Sequence, residues 1–286
     1  MADSSIIGSD VKDIFVTTNN SIYVANGNKK QILVLPNINS PLIRNLSSNS
    51  SSVLSIFVTE ATDVYFSYLS NSIDVIPKFI SNFTNSTSVM ETCWRCYDIV
   101  IDIHNNIYCS ANEKHEIIKK SLNNISDSVR IVAGTGVSGS TSYMLNTPLG
   151  VFVDTNFDLY VADCLNDRIQ LFLLDQLNGI TIAGNGSANK PITLYHPTEV
   201  TLDGNKDLFI VDYGNRRIVK SGSNGFQCLV GCNGSGSAQN QLSYFRSASF
   251  DSFGNLFVVD SSNYRIQKFN LISNICSKFC LKYRTD

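Results

Sequence analysis

The residues best suited to chemistry are acids and guanidiniums at a fixed spacing. Asp163 and Arg168, Asp212 and Arg217, and Asp260 and Arg265 each lie five positions apart. An acid beside a base can move protons. A catalytic centre needs one copy with its own partners, however, and these pairs recur. Recurrence points to construction, with Asp anchoring a loop and Arg tying that loop to its own or a neighbouring repeat. A second pattern sets oxygen ligands at alternate positions, in Asp154-x-Asn156-x-Asp158 and Asp203-x-Asn205-x-Asp207, as a calcium loop does. The glycine and the bidentate glutamate of such a loop are missing, and Asp251-x-Phe253-x-Asn255 breaks the set. Tight hairpins stapled by Asp and Asn side chains account for all three. A ring of Asp154, Asp203 and Asp251 around one calcium ion is the competing expectation.

Histidine zinc chemistry needs converging ligands. The three histidines are His104, in a hairpin turn, His115, in a loop before a strand, and His196, at the start of another strand. Their different settings argue against a shared metal. Cys93-Trp94-Arg95-Cys96 has redox spacing but leads into a strand, not a helix, so a structural disulfide or a buried pair is expected. Cys164 follows Asp163 in a loop and has no obvious mate. The glycines of GTGVSGS from 134 and GNGSGSA from 234 suggest a phosphate cradle. Each lies between two strands, however, without the helix N-terminus that would hold a phosphate.

These residues sit at set places in a repeated sentence. Pro148 to Leu174 reads PLGVFVDTNFDLYVADCLNDRIQLFLL, Pro197 to Ser221 reads PTEVTLDGNKDLFIVDYGNRRIVKS, and Arg246 to Asn270 reads RSASFDSFGNLFVVDSSNYRIQKFN. An aromatic opens the second strand of each unit, giving six positions: Tyr23, Tyr65, Tyr108, Tyr160, Phe209 and Phe257. A period of roughly 45 residues made of short strands predicts a circular array of sheets. LYVAD, LFIVD and LFVVD are apolar on both faces, as strands buried on both sides must be. RIQLF, RIVKS and RIQKF are more polar and belong nearer the rim. DTNFD, DGNKD and DSFGN have the composition of hairpin turns. A fourth strand is expected in VRIVAG, GITIAG and QCLVGC. Either Ile275–Tyr283 or Ser4–Gly8 could complete the last sheet and close the ring.

Composition narrows the function classes. Lys+Arg 22 against Asp+Glu 24 gives a net charge of -2, without the basic surplus of a nucleic-acid binder. No run reaches the ~20 apolar residues of a membrane span. The first residues, MADSSIIGSD, do not read as a signal peptide. Eight cysteines and eight N-x-Ser/Thr sequons, at Asn19, Asn45, Asn49, Asn82, Asn85, Asn124, Asn185 and Asn233, nevertheless suit a secreted protein or an ectodomain fragment. Cytoplasmic residence is the alternative.

The segments LYVADCLNDRIQLF, LFIVDYGNRRIVKS and LFVVDSSNYRIQKF resemble the NHL repeat. The likeness is strong over about 130 to 270. It thins in the first 120 residues, where Asn26 and Gln31, then Tyr68, then Ala111 and Glu116, replace the Asp and Arg. The resemblance implies an all-β, six-bladed β-propeller of four-stranded antiparallel blades. The blades would run roughly 11–48, 49–92, 93–135, 136–185, 186–232 and 233–286. The family's roles include protein and RNA recognition, extracellular sensing and, on related rings, enzymes, so the fold leaves function open.

The reading that follows is a binding module, non-enzymatic and monomeric, without cofactor, recognising a protein or glycan. The variable loops and the loops after the second strands would share one face, carrying Arg168, Tyr213, Asn215, Arg217 and Tyr264. Asp163, Asp212, Asp260 and Arg265 would be structural. A hydrolase or lyase with a metal in the central channel is the second reading. RNA recognition is the third, and the acidic balance opposes it.

Overall fold

A computed structural model describes residues 10–37, 44–47, 52–69, 74–79, 86–92, 94–124, 126–188 and 192–270. The segments Ser4–Gly8 and Ile275–Tyr283 proposed to close the ring, and Cys93, lie outside the described residues. The fold is all-β, and each sheet is an antiparallel meander. The first sheet holds β1 (Val11–Val16), β2 (Ile22–Asn26), β3 (Gln31–Leu35) and β4 (Arg44–Ser47). The second holds β5 (Val53–Val58), β6 (Val64–Tyr68), β7 (Asp74–Phe79) and β8 (Ser86–Thr92). The third holds β9 (Cys96–Ile101), β10 (Asn106–Ala111), β11 (Glu116–Ser121) and β12 (Arg130–Gly134). The fourth holds β13 (Pro148–Val153), β14 (Leu159–Asp163), β15 (Arg168–Phe172) and β16 (Ile180–Gly184). The fifth holds β17 (Pro197–Leu202), β18 (Leu208–Asp212), β19 (Arg217–Gly222) and β20 (Gly225–Val230). The last has three described strands, β21 (Ala248–Phe250), β22 (Leu256–Asp260) and β23 (Arg265–Phe269). Six such sheets are the blades of a six-bladed β-propeller.

The described residues group into two compact units, 10–96 with 243–270, and 97–242. Within the first, the last blade packs on the first blade. Phe257, Val259 and Ile266 share a core with Ile14, Val24 and Leu33. Within the second, Phe152, Tyr160 and Ile169 of the fourth blade interlock with Val200, Leu202 and Ile210 of the fifth. Second strands such as LYVAD and LFIVD are buried along their whole length. A sheet covered on both faces is stable only if both faces are apolar, and the sequence supplies that.

Polar groups also join the inner strands. In the first unit the Asp13 carboxylate sits at a bulge of β1. Its Oδ2 accepts from the Ile56 amide at 2.8 Å and from Ser55 Oγ at 3.0 Å. Its Oδ1 accepts from Ser247 Oγ at 2.6 Å and from the Ile14 amide at 2.8 Å. One carboxylate thus bridges three blades. In the second unit Asp98 occupies the corresponding place, and its Oδ2 accepts from the Val151 amide of the next blade at 2.9 Å. The residue before Val151 is Gly150, where a Cβ would meet the Glu199 Cα at 2.6 Å. The equivalent places on the next blades hold small residues: Ser55, whose Oγ donates to Asp13, and Gly150, against which the Glu199 backbone packs.

Candidate functional site

The Asp–Arg pairs of the sequence form a clamp with an additional asparagine. In the fourth blade, Asp163 Oδ2 accepts from Arg168 Nε at 2.7 Å and from Asn166 Nδ2 at 2.8 Å. Its Oδ1 accepts from the Asn146 amide at 2.7 Å. The fifth blade repeats this with Arg217 Nε at 2.8 Å, Asn215 Nδ2 at 2.9 Å and the Tyr195 amide at 2.8 Å, all on Asp212. In the last blade Asp260 takes Arg265 Nε at 2.8 Å, Asn263 Nδ2 at 2.9 Å and the Ser243 amide at 2.7 Å. In every copy the held amide lies 17 residues upstream of the Asp. That segment leads from one blade into the next. The clamp therefore joins the loop after a blade's second strand to the loop that enters its first strand.

A left-handed residue ends the turn between second and third strands: His115, Asp167, Arg216 and Tyr264, with φ of 56°, 53°, 54° and 53°. The tight reversal brings the third strand back antiparallel. Its carbonyl packs against a glycine ending the fourth strand, as Asp167 O does on Gly184, whose φ is +83° and where a Cβ would collide. The left-handed side chain reaches the next connection. His115 Nδ1 accepts from the Thr147 amide at 3.0 Å, and Asp167 Oδ1 from the His196 amide at 2.8 Å.

The predicted binding residues fall into two kinds. Arg168 is buried, and its remaining nitrogens donate to the carbonyls of Ser140 at 2.7 Å, Thr141 at 2.9 Å and Met144 at 3.0 Å. Among the described residues Arg217 makes a single such bond, to Thr193 O at 2.8 Å, and its side chain keeps 29% exposure. Asn215 is exposed at the turn although its amide donates to Asp212. Tyr213 is half-buried, and Tyr264 is 47% exposed. Arg265 is the more covered anchor of the last blade, at 15% side-chain exposure. Burial pushes the Asp163 carboxyl up from its ordinary value, and the hydrogen bonds from Asn166, Asn146 and Arg168 pull it back only in part.

Sequence reasoning missed the residues at the held segment itself. Because the clamp grips a backbone amide, the side chain there is unconstrained: it is Asn146, Tyr195 or Ser243. Tyr195 is 50% exposed and stacks on His196 with ring centroids 4.2 Å apart. Its backbone lies against Gly214, whose amide donates to Tyr195 O at 2.7 Å. In the first unit Tyr244, next to the held Ser243, is 47% exposed. The signal was available as the fixed 17-residue offset from each repeated Asp.

The hairpin acids do different work. Asp154, Asp203 and Asp251 each accept, through Oδ1, the amides two and four residues ahead, at 2.8 to 3.0 Å. Their second oxygens face lysines: Lys206 on Asp154 at 3.6 Å, Lys220 on Asp203 at 3.2 Å and Lys268 on Asp251 at 3.0 Å. Lys220 and Lys268 also lie over the Phe209 and Phe257 rings, each at 5.1 Å. Among the described residues no three His, Cys, Asp or Glu side chains cluster as metal ligands. The histidines stand apart in role: His104 rests on Phe157, His115 accepts an amide, and His196 stacks on Tyr195.

Comparison with solved structures places this architecture. Over 93% of its length, and 73% of the other chain, it is similar to a structural-genomics protein of unknown function from Bacteroides thetaiotaomicron, with TM-score 0.73 and 13% identity. An auxiliary nutrient binding protein from the same organism matches 91% of this chain and 68% of its own, with TM-score 0.70 and 13% identity. Virginiamycin B lyase from Staphylococcus aureus matches 95% and 87%, with TM-score 0.61 and 11% identity. The fold is a propeller. At these identities the likeness carries the architecture alone, and the propellers that share it include both binders and enzymes. No protein-family profile and no curated protein matches the sequence.

Disulfides and exposed sequons complete the surface. Cys228 pairs with Cys232, and Cys96 and Cys109 are each disulfide-bonded. Cys164 is buried outside any disulfide. Asn19, Asn124, Asn185 and Asn233 are exposed. The side chains of Asn45, Asn49, Asn82 and Asn85 lie outside the described residues. No helix is long and apolar enough to cross a membrane.

Proposed function

We propose that this chain is an NHL-type binding module, non-enzymatic and extracellular, that recognises a protein or glycan through the clamped loops. One observation carries the reading. The repeated Asp–Asn–Arg clamp fixes the connecting loops by a backbone amide and leaves the side chain at that position to vary. Rigid loops with variable side chains are what recognition surfaces use. Tyrosines suit that task because they offer large contact area at low entropic cost. Tyr195, Tyr213, Asn215 and Arg217 form the recognition patch on the fifth blade. Tyr244 and Tyr264 play the same part on the last blade. Arg168 serves as the buried anchor that keeps its loop in place. Disulfides persist in oxidising compartments, which supports secretion, and the exposed sequons make glycosylation the natural consequence.

The test is a screen of purified protein on a glycan array and a displayed-peptide library, repeated with variants. Tyr195→Ala with Tyr213→Ala should weaken the strongest hit at least about tenfold, the loss of one hot spot, with melting unchanged. A hit indifferent to these variants, and to Tyr244→Ala with Tyr264→Ala, refutes the proposal.

A further inference from the structure

The exposed large apolar side chains are unevenly spread. Val129, Ile131, Leu173, Leu174, Leu177 and Ile180, each at least 40% exposed, come from only two segments, β12 with its approach and the connection from β15 to β16. Isolated exposed leucines are ordinary, but a contiguous set marks a binding groove. Here a trough of about 270 Å³ is lined by Ile131, Leu173, Leu174 and Leu177, with Phe157 and Phe172 at its base. A second cavity of about 400 Å³ is lined by Lys119, Lys120 and Arg130 with Asp127. Lys119 and Arg130 line both.

The cations are only partly compensated. Lys119 already has Asp102, 3.6 Å away. Asp127 accepts from Asn124 Nδ2 at 2.7 Å. Among the described residues Lys120 and Arg130 form no ion pair. Asp175 lines the trough beside Lys119 and Arg130, which leaves Lys120 and Arg130 as the cations without a carboxylate partner among the described residues. A ligand that satisfies both cavities carries its negative charge at one end and hydrocarbon along the rest.

We propose that this groove on the third and fourth blades binds a single-chain anionic amphiphile, its carboxylate against Arg130 and Lys120 and its alkyl chain over Leu173, Leu174 and Leu177. The site is separate from the clamped loops and stands or falls independently of them.

Calorimetric titration of the full chain with octanoate, decanoate and dodecanoate, all below their micelle concentrations, tests it. Affinity should rise roughly tenfold per two carbons, as burial of methylenes requires. Arg130→Glu with Lys120→Glu, both away from the core, should lower dodecanoate affinity at least about tenfold and spare dodecyltrimethylammonium. Leu174→Asp with Leu177→Asp should abolish both. Affinity independent of chain length, or unchanged in both double variants, overturns the proposal. Binding to anionic phospholipid vesicles without binding to monomeric dodecanoate also overturns it, because the groove would then be reading a surface and not a molecule.

Discussion

Asp212 holds Tyr195 by its backbone amide, at 2.8 Å, and leaves the phenol ring half in solvent. The acid that looks catalytic in the sequence is thus a fixture, and the residue it fixes keeps an exposed side chain. The same relation joins Asp163 to Asn146 and Asp260 to Ser243. Three copies of one joint, each displaying a different side chain, combine rigidity with variation.

The two arginines tested most usefully are Arg168 and Arg217. Arg168 is buried and donates to three carbonyls as well as to Asp163. Arg168→Ala leaves Asp163 buried without its countercharge and should cost about 3–5 kcal/mol in urea denaturation. Arg217→Ala also strands a buried carboxylate, Asp212, but the guanidinium is partly exposed and makes one carbonyl bond among the described residues, so the loss should be smaller, about 1–3 kcal/mol. Equal losses at the two sites contradict this account.

Gly150 marks a close approach of two inner strands. A Cβ there would lie 2.6 Å from both the Glu199 Cα and the Thr198 carbonyl oxygen, and neither is a flexible tip. Gly150→Ala should lower stability by about 1–3 kcal/mol, the range of overpacked cores. An unchanged melting temperature in the alanine variant counts against the close approach.

The lysines of the third strands should titrate in opposite directions. Burial lowers Lys119 below the ordinary 10.5, and the carboxylates of Asp102 and Asp175 do not restore it. Burial also opposes the charge on Lys220, but hydrogen bonds to Asp207 and Asp203 outweigh it and raise the value above 10.5. Between its folded value and 10.5, Lys119 is protonated in the unfolded chain more than in the native one, so its contribution to stability grows with pH there. Lys220 stabilises fully below 10.5, and that contribution is lost as pH rises through its folded value. Nitrogen-detected NMR of the two ammonium groups checks the order, and Lys119 losing its proton after Lys220 contradicts it.

Cys164 is buried and outside any disulfide. It should resist a thiol reagent in native protein and react on unfolding, in contrast to an exposed thiol. Exposed Asn124, Asn185 and Asn233 should carry glycans when the chain is expressed through a secretory pathway. A shift in mass on enzymatic deglycosylation, lost site by site in Asn→Gln variants, is the measurement. A single unshifted mass in the secreted protein contradicts it.

Period and composition alone determined the strand plan. LYVAD, LFIVD and LFVVD are apolar on both faces because a blade is covered on both, so burial writes itself into local sequence. Asp and Arg at a constant spacing were legible as construction for the same reason, since a repeated joint repeats its residues. The tertiary structure decided which atoms the joint grips. A backbone amide 17 residues upstream leaves no mark on the identity of Asn146, Tyr195 or Ser243, so the displayed position was invisible until the loops were seen together. Asp13 and Asp98 were hidden in a related way, each a lone acid in an apolar strand whose partners, such as Ile56 and Val151, are neighbouring backbone. The groove at Leu174 and Arg130 joins segments some forty residues apart, which only packing brings side by side. A sequence records what a residue must be for its own strand, whereas contacts made through backbone amides or across blades constrain position without constraining type.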